Sequence, residues 1–265
     1  MRATFLRIRA PRYSIGLLFM LVVVLLHVTL GMLTDVPYLD GIRVDHIAVT
    51  EWIGFDLHNS YITVFTFLLP IAVMLSPATT ITEDIRSGAW MYLAKPSRRQ
   101  YLIRHLVVSF ISGFCIAAIP LAVDAAFAYL LFPNVTPNLI TNYNEVVAST
   151  VTYWSQWYYT QPVRLIVTYI IFIGGFGGLF ALLGSALGIA TRRRVVALMS
   201  PFVAVLALTI GTSIFPQFIS SPVFVLSPLS PAYLPTLWSV FVTYGITLVC
   251  AIGGILFASK HQTEL

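Results

Sequence analysis

Six apolar runs divide this chain: Ser14 to Leu33, Tyr61 to Ile81, Leu106 to Phe132, Leu165 to Ala190, Val195 to Phe215 and Leu237 to Ala258. About 20 apolar residues wound as helix cross ~30 Å of hydrocarbon, so the pattern predicts six spanning helices. The expected fold is an all-α integral membrane protein, a single transmembrane domain over residues 1–265. Composition agrees, with 58% hydrophobic residues, 9% charged and a mean hydropathy of +0.88. Soluble domains carry roughly a quarter charged residues.

Charge orients the predicted spans. Thirteen of the fifteen basic residues precede the first span, follow the sixth, or lie between spans two and three or four and five; only Arg43 and Arg164 fall opposite. Lysine and arginine near a span resist translocation, so both termini are expected in the cytoplasm. The net charge of +5 is explained by this orientation without nucleic acid. The first run exceeds a signal-peptide core and lacks a small-x-small cleavage site, so it reads as an uncleaved multi-pass span. Cys115 and Cys250 fall inside predicted spans, where they read as packing residues.

The outer segments are more ambiguous. Thr34 to Ser60 holds half of all the acidic residues and reads as a solvated loop; His46 and His58 lack tight metal-ligand spacing, so no metal is expected. From Leu139 the apolar positions Leu139, Ile140, Tyr143, Val146, Val147, Val151, Trp154, Trp157 and Tyr158 form one helical stripe. That predicts an outer amphipathic helix between spans three and four, an interfacial brace or alternatively a gate over an exit path. Pro216 to Pro235 contains five prolines and reads as a re-entrant connection.

In the fourth run, Gly174/Gly178 and Gly184/Gly188 make small-x-x-x-small steps, which let another helix approach closely. No nucleotide-binding glycine pattern follows a strand here. Asp124 is the one acid well inside a span, and intramembrane ionisable groups are functional candidates. Two readings stay open for it: a translocation path or a paired structural residue. His27 in the first span is a weaker candidate.

The densest polar interruption is Thr80 to Tyr101. Thr80-x-x-Glu83 and Ser97-x-x-Gln100 both match a capping box, and Pro96 disfavours helix at Lys95. A short cytoplasmic helix from about Glu83 to Ala94 is therefore predicted between spans two and three, with Ile85, Trp90, Leu93 and Tyr101 facing apolar neighbours. Glu83, Asp84, Arg86, Arg98 and Arg99 are expected to face water. Gly88 inside such a helix costs about 1 kcal/mol relative to alanine, which suggests that another group comes close.

With Glu83, Ser87, Gly88, Leu93, Pro96, Arg98 and Tyr101 in this order, the segment resembles the coupling loop in the membrane subunits of type-2 ATP-binding-cassette (ABC) exporters. Leu226-Ser-Pro-Leu-Ser-Pro-Ala-Tyr233 also resembles the connection before that family's last span. The resemblance implies a permease whose coupling helix, residues 83–98 including Asp84 and Arg86, seats in a separate ATPase subunit. Glu83 and Arg98 are its candidates for holding the joint. It further implies a second permease copy or paralogue, and ATP and magnesium on the partner, in a membrane expected to be a prokaryotic plasma membrane. The chain itself has no Gly-x-x-x-x-Gly-Lys-Ser/Thr loop and no catalytic residues are expected in it. The substrate expected is hydrophobic or amphipathic: a peptide, lipid or drug. An ion-coupled secondary transporter is the alternative. An intramembrane enzyme would need a nucleophile with its base, or a metal set such as His-Glu-x-x-His, neither of which is evident.

Overall fold

The computed structural model describes residues 11–39, 46–56, 60–75, 79–89, 98–138, 152–215, 218, 220–226 and 236–262. Every regular element among them is helical. Helix α1 (Pro11–His27) continues through a π-helical turn at Val28–Met32, a turn at Leu33–Asp35 and a 3₁₀ turn at Val36–Tyr38. There follow α2 (Tyr61–Met74), α3 (Thr80–Arg86), α4 (Arg98–Leu131), α5 (Ser155–Thr160), α6 (Pro162–Thr191), α7 (Arg194–Ile214), α8 (Pro222–Leu226) and α9 (Leu237–Gln262).

Among the described residues four stretches are long and apolar enough to cross a membrane: Ser14–Tyr38, Gln100–Leu131, Pro162–Thr191 and Arg194–Thr212. Tyr61–Met74 and Leu237–Gly253 are shorter apolar helices. The expected second span, 61–81, is not one helix. Helix α2 stops at Met74, capped at Leu75, before α3 starts at Thr80. Wide apolar stripes face outward, among them Leu18, Val22 and Leu25 on α1, Val203 and Ile210 on α7, and Phe241 and Val249 on α9. Apolar surface on that scale suits a bilayer.

Helix α6 is the centre of the bundle. It packs against α4, α9, α7 and α2, and its most apolar window is 61% buried against 17% for that of α7. Glycine makes this possible at the α4–α6 crossing. A Cβ on Gly113 would strike the carbonyl of Gly177, and one on Gly177 would strike that of Gly113. Gly174 and Gly178 sit under the rings of Phe114 and Phe110, Gly184 lies against Met74 and Ala197, and Gly188 against Thr82 and Ala197. All four glycines singled out by spacing therefore face neighbours within this chain. Close van der Waals approach replaces a hydrophobic drive that lipid does not supply.

Residues 46–56 form a buried cap, which corrects the expected solvated loop. Ile47, Ala48, Val49, Trp52, Ile53 and Phe55 are all at most 2% exposed. The Ala48 N–H donates to the Pro133 carbonyl and the Trp52 indole to the Leu121 carbonyl, at 3.1 and 3.2 Å. Apolar residues interleaved with Thr50, Glu51 and Asp56 outweigh the acids.

The expected amphipathic helix from Leu139 falls mostly outside the described residues, and its end is corrected. Trp154 adopts a left-handed conformation, φ 54°, which breaks a continuous stripe, and α5 begins after it. Tyr158 is buried among Phe55 and Tyr159, while Trp154 stacks on Trp157 with Arg164 over the Trp157 ring.

The chain also reverses direction between cap and α3. Asp124, which holds the cap, and Tyr101, which holds α3, are separated by about 35 Å along α4 at 1.5 Å per residue. Residues between Asp56 and Asp84 therefore travel from one end of α4 to the other.

Candidate functional site

Polar chemistry gathers at the two ends of the bundle. At the first end lies α3. Its N-cap position is Thr79, without a side-chain cap bond, and Thr80 is the first helical residue, so the anticipated Thr80–Glu83 box is not the helix start. The helix also stops early. Ser87 N–H donates to the Glu83 carbonyl, Gly88 N–H to the Ile85 carbonyl, and Gly88 has φ 71°. Glycine one position past the C-cap is a helix terminator because it enters the left-handed region without a Cβ clash. That corrects the continuous helix expected from Glu83 to Ala94.

Three contacts tie α3 to long helices. Glu83 Oε1 accepts from Arg194 of α7 at 3.0 Å. Tyr101 of α4 donates its hydroxyl to Asp84 Oδ2 at 2.6 Å. Ile81 packs against Ile189 of α6, with Ile85, Tyr101 and Leu102 around them. Asp84 is 7% exposed, so its expected place in water is corrected: the Tyr101 hydroxyl compensates its burial. Arg86 and Ser87 are exposed and Gly88 half-buried. Leu93 and Pro96 lie outside the described residues, as does the Arg98 side chain; the Arg98 backbone opens α4. Arg194 was not among the anticipated site residues. Its signal was the basic run Arg192 to Arg194, which had been given a role in orientation alone.

At the opposite end the cap and two helices converge on one imidazole. His27 Nδ1 lies 2.7 Å from Asp124 Oδ1, and His27 Nε2 lies 3.1 Å from Asp56 Oδ2. The Ile53 N–H donates to the second Asp124 oxygen at 2.8 Å, and the Tyr61 ring covers the imidazole. His27 and Asp124 are wholly buried. Asp124 is therefore a paired residue in this structure, its acceptors engaged by α1 and the cap. Both imidazole nitrogens are committed to carboxylates, so neither is left to activate a hydroxyl or thiol. The arrangement can clamp the cap and hold a proton between two acids.

Beside this clamp, His46 Nδ1 lies 2.7 Å from Glu51 Oε1. Burial pushes the Glu51 carboxyl above its ordinary range, against the pull of the His46 hydrogen bond, and nearby Asp35 adds to the rise. A third polar set joins α8 to its neighbours through Ser220 with Ser239, Ser221 with Thr209, and the Thr243 hydroxyl donating to the Ser220 carbonyl. Only its first residue, Leu226, is described from the expected proline-and-tyrosine connection. Comparison with protein-family models, curated proteins and solved structures found no match for this chain.

Proposed function

We propose that this chain is the membrane-spanning subunit of an ATP-driven exporter of the ABC type, with six spans, both termini in the cytoplasm and a separate ATPase docked on residues 83–98. It moves a hydrophobic or amphipathic substrate outward as a pair with a second copy or a paralogue, in a prokaryotic plasma membrane. The observation that carries this reading is the anchorage of α3. A force applied to its exposed Arg86–Ser87 end is delivered through Glu83 to α7, through Asp84 to α4 and through Ile81 to α6. A short helix wired to three long ones is a lever, and a lever needs something outside the membrane to push it. The course of the chain from the cap to α3 supports a second span at α2, because that stretch returns along the length of α4. Energy comes from the partner, since the chain lacks a phosphate-binding loop.

The test is site-specific photo-crosslinking in native membranes from Arg86 and Ser87. Adducts are expected to contain an ABC ATPase, and Gly88→Trp is expected to abolish them while the protein stays folded in detergent. Crosslinking to lipid alone, with no ATPase at either position, overturns the proposal.

An ion-coupled transporter working alone is a second reading, and one observation favours it: the His27 clamp, where an ionisable imidazole is held between the buried carboxylates of Asp56 and Asp124. It predicts gradient-driven uptake in liposomes holding only this chain.

A further inference from the structure

The geometry points to a divalent transition-metal site formed by Asp35, His46 and Glu51, at the end of the first helix and the edge of the cap. One ligand atom from each lies within 4.8 Å of the other two. Four features make this more than a cluster of acids. The set mixes one imidazole nitrogen with carboxylate oxygens, the donor combination that zinc and its neighbours take. Glu51 is 4% exposed, so its carboxylate is withdrawn from water and faces a second carboxylate across the site. Two such groups side by side repel when both are ionised, and a divalent cation between them removes that repulsion. Asp35 and His46 are only half-buried, which leaves a route for an ion to enter.

The fit is close. Ligands at 2.0–2.2 Å from zinc in a tetrahedron stand about 3.3–3.6 Å apart. The His46–Glu51 separation is 2.7 Å, so those two ligands must part by less than about 1 Å, with the Asp35 carboxylate within 4.8 Å of both. Three protein ligands leave the fourth position to water. Asp35 follows α1 in the chain, whereas His46 and Glu51 belong to the cap. A bound ion therefore staples the cap to α1 at a point distinct from the His27 clamp. The inference does not depend on the exporter reading, because it concerns only the cap and the end of the first helix.

The test uses full-length protein in detergent micelles, purified on a histidine-free tag, stripped with chelator and titrated with zinc chloride. One zinc per chain is expected by calorimetry and metal analysis, with trypsin or a broad protease cutting the cap more slowly in its presence. Asp35→Asn, a half-exposed change that leaves the core untouched, is expected to weaken binding at least about tenfold. His46→Gln is expected to abolish it. No zinc bound above that of a buffer control, or one equivalent retained at unchanged affinity in both variants, overturns the site.

Discussion

At the residue scale the decisive group is His27, because it satisfies two buried carboxylates from two separate elements. His27→Ala removes the partner that Asp56 and Asp124 share, and breaking a buried pair by removing one side costs about 3–5 kcal/mol. Unfolding in mixed micelles is expected to show a loss of that size, and the cap is expected to become the first site of proteolysis. A variant as stable as the parent would mean that the clamp holds nothing. The sequence contained half of this result. His27 and Asp124 stand out as ionisable groups in apolar runs, and each needs compensation there. Nothing local says that they compensate each other across 97 positions, or that Asp56 joins from a loop. The acids of that loop drew the reading toward water. The run Ile47-Ala-Val-Thr-Glu-Trp-Ile-Gly-Phe55 is mostly apolar, and it was the available signal that the segment is buried.

At the scale of elements, the α4–α6 crossing and the α3 lever behave differently under mutation. The crossing depends on the absence of side chains. Gly177→Leu must separate two backbones, and overpacking on this scale costs about 1–3 kcal/mol or more, whereas Gly245→Ala meets nothing within 4 Å. Size-exclusion profiles after stepwise heating are expected to show the first aggregating early and the second matching the parent. The lever carries little stability of its own. Glu83 and Arg194 are 33% and 47% exposed in their side chains, and such pairs are worth about 0–1 kcal/mol. Arg194→Gln should accordingly unfold like the parent, yet sever α3 from α7. Under the exporter proposal its signature is ATP hydrolysis that continues while transport falls. Equal loss of both activities would instead indicate that docking failed. The positions of α4, α6, α7 and α9 were legible because hydrophobic length is a strong signal. The limits of α2 and α3 were not: α2 ends at Met74 inside an apolar run, and the terminator role of Gly88 acts on one residue of a segment that reads as continuous.

For the whole molecule the open quantity is how often the chain crosses, and side-chain contacts constrain it. The cap touches the far end of α4 through Pro133, Leu121 and Asp124, whereas α3 touches its start through Tyr101. Helices α1 and α4 thus run in the same direction, and something must carry the chain back between them. With α2 only 14 residues long, about 21 Å as helix, that return is shorter than the hydrocarbon and needs the residues beside it or a thinned bilayer. Cysteine labelling separates the possibilities. In a background with Cys115 and Cys250 replaced, single cysteines are placed at Arg2, Ser87, Val135 and Arg193 and exposed to a membrane-impermeant maleimide in intact cells and in inverted vesicles. If all six helices cross, Arg2→Cys, Ser87→Cys and Arg193→Cys label only after inversion, and Val135→Cys labels in intact cells. If only the four long stretches cross, Ser87→Cys and Arg193→Cys move to the face opposite Arg2→Cys, and Val135→Cys joins Arg2→Cys. The second pattern would place α3 on the outside, where no ATPase could reach it, and would remove the exporter reading at its foundation.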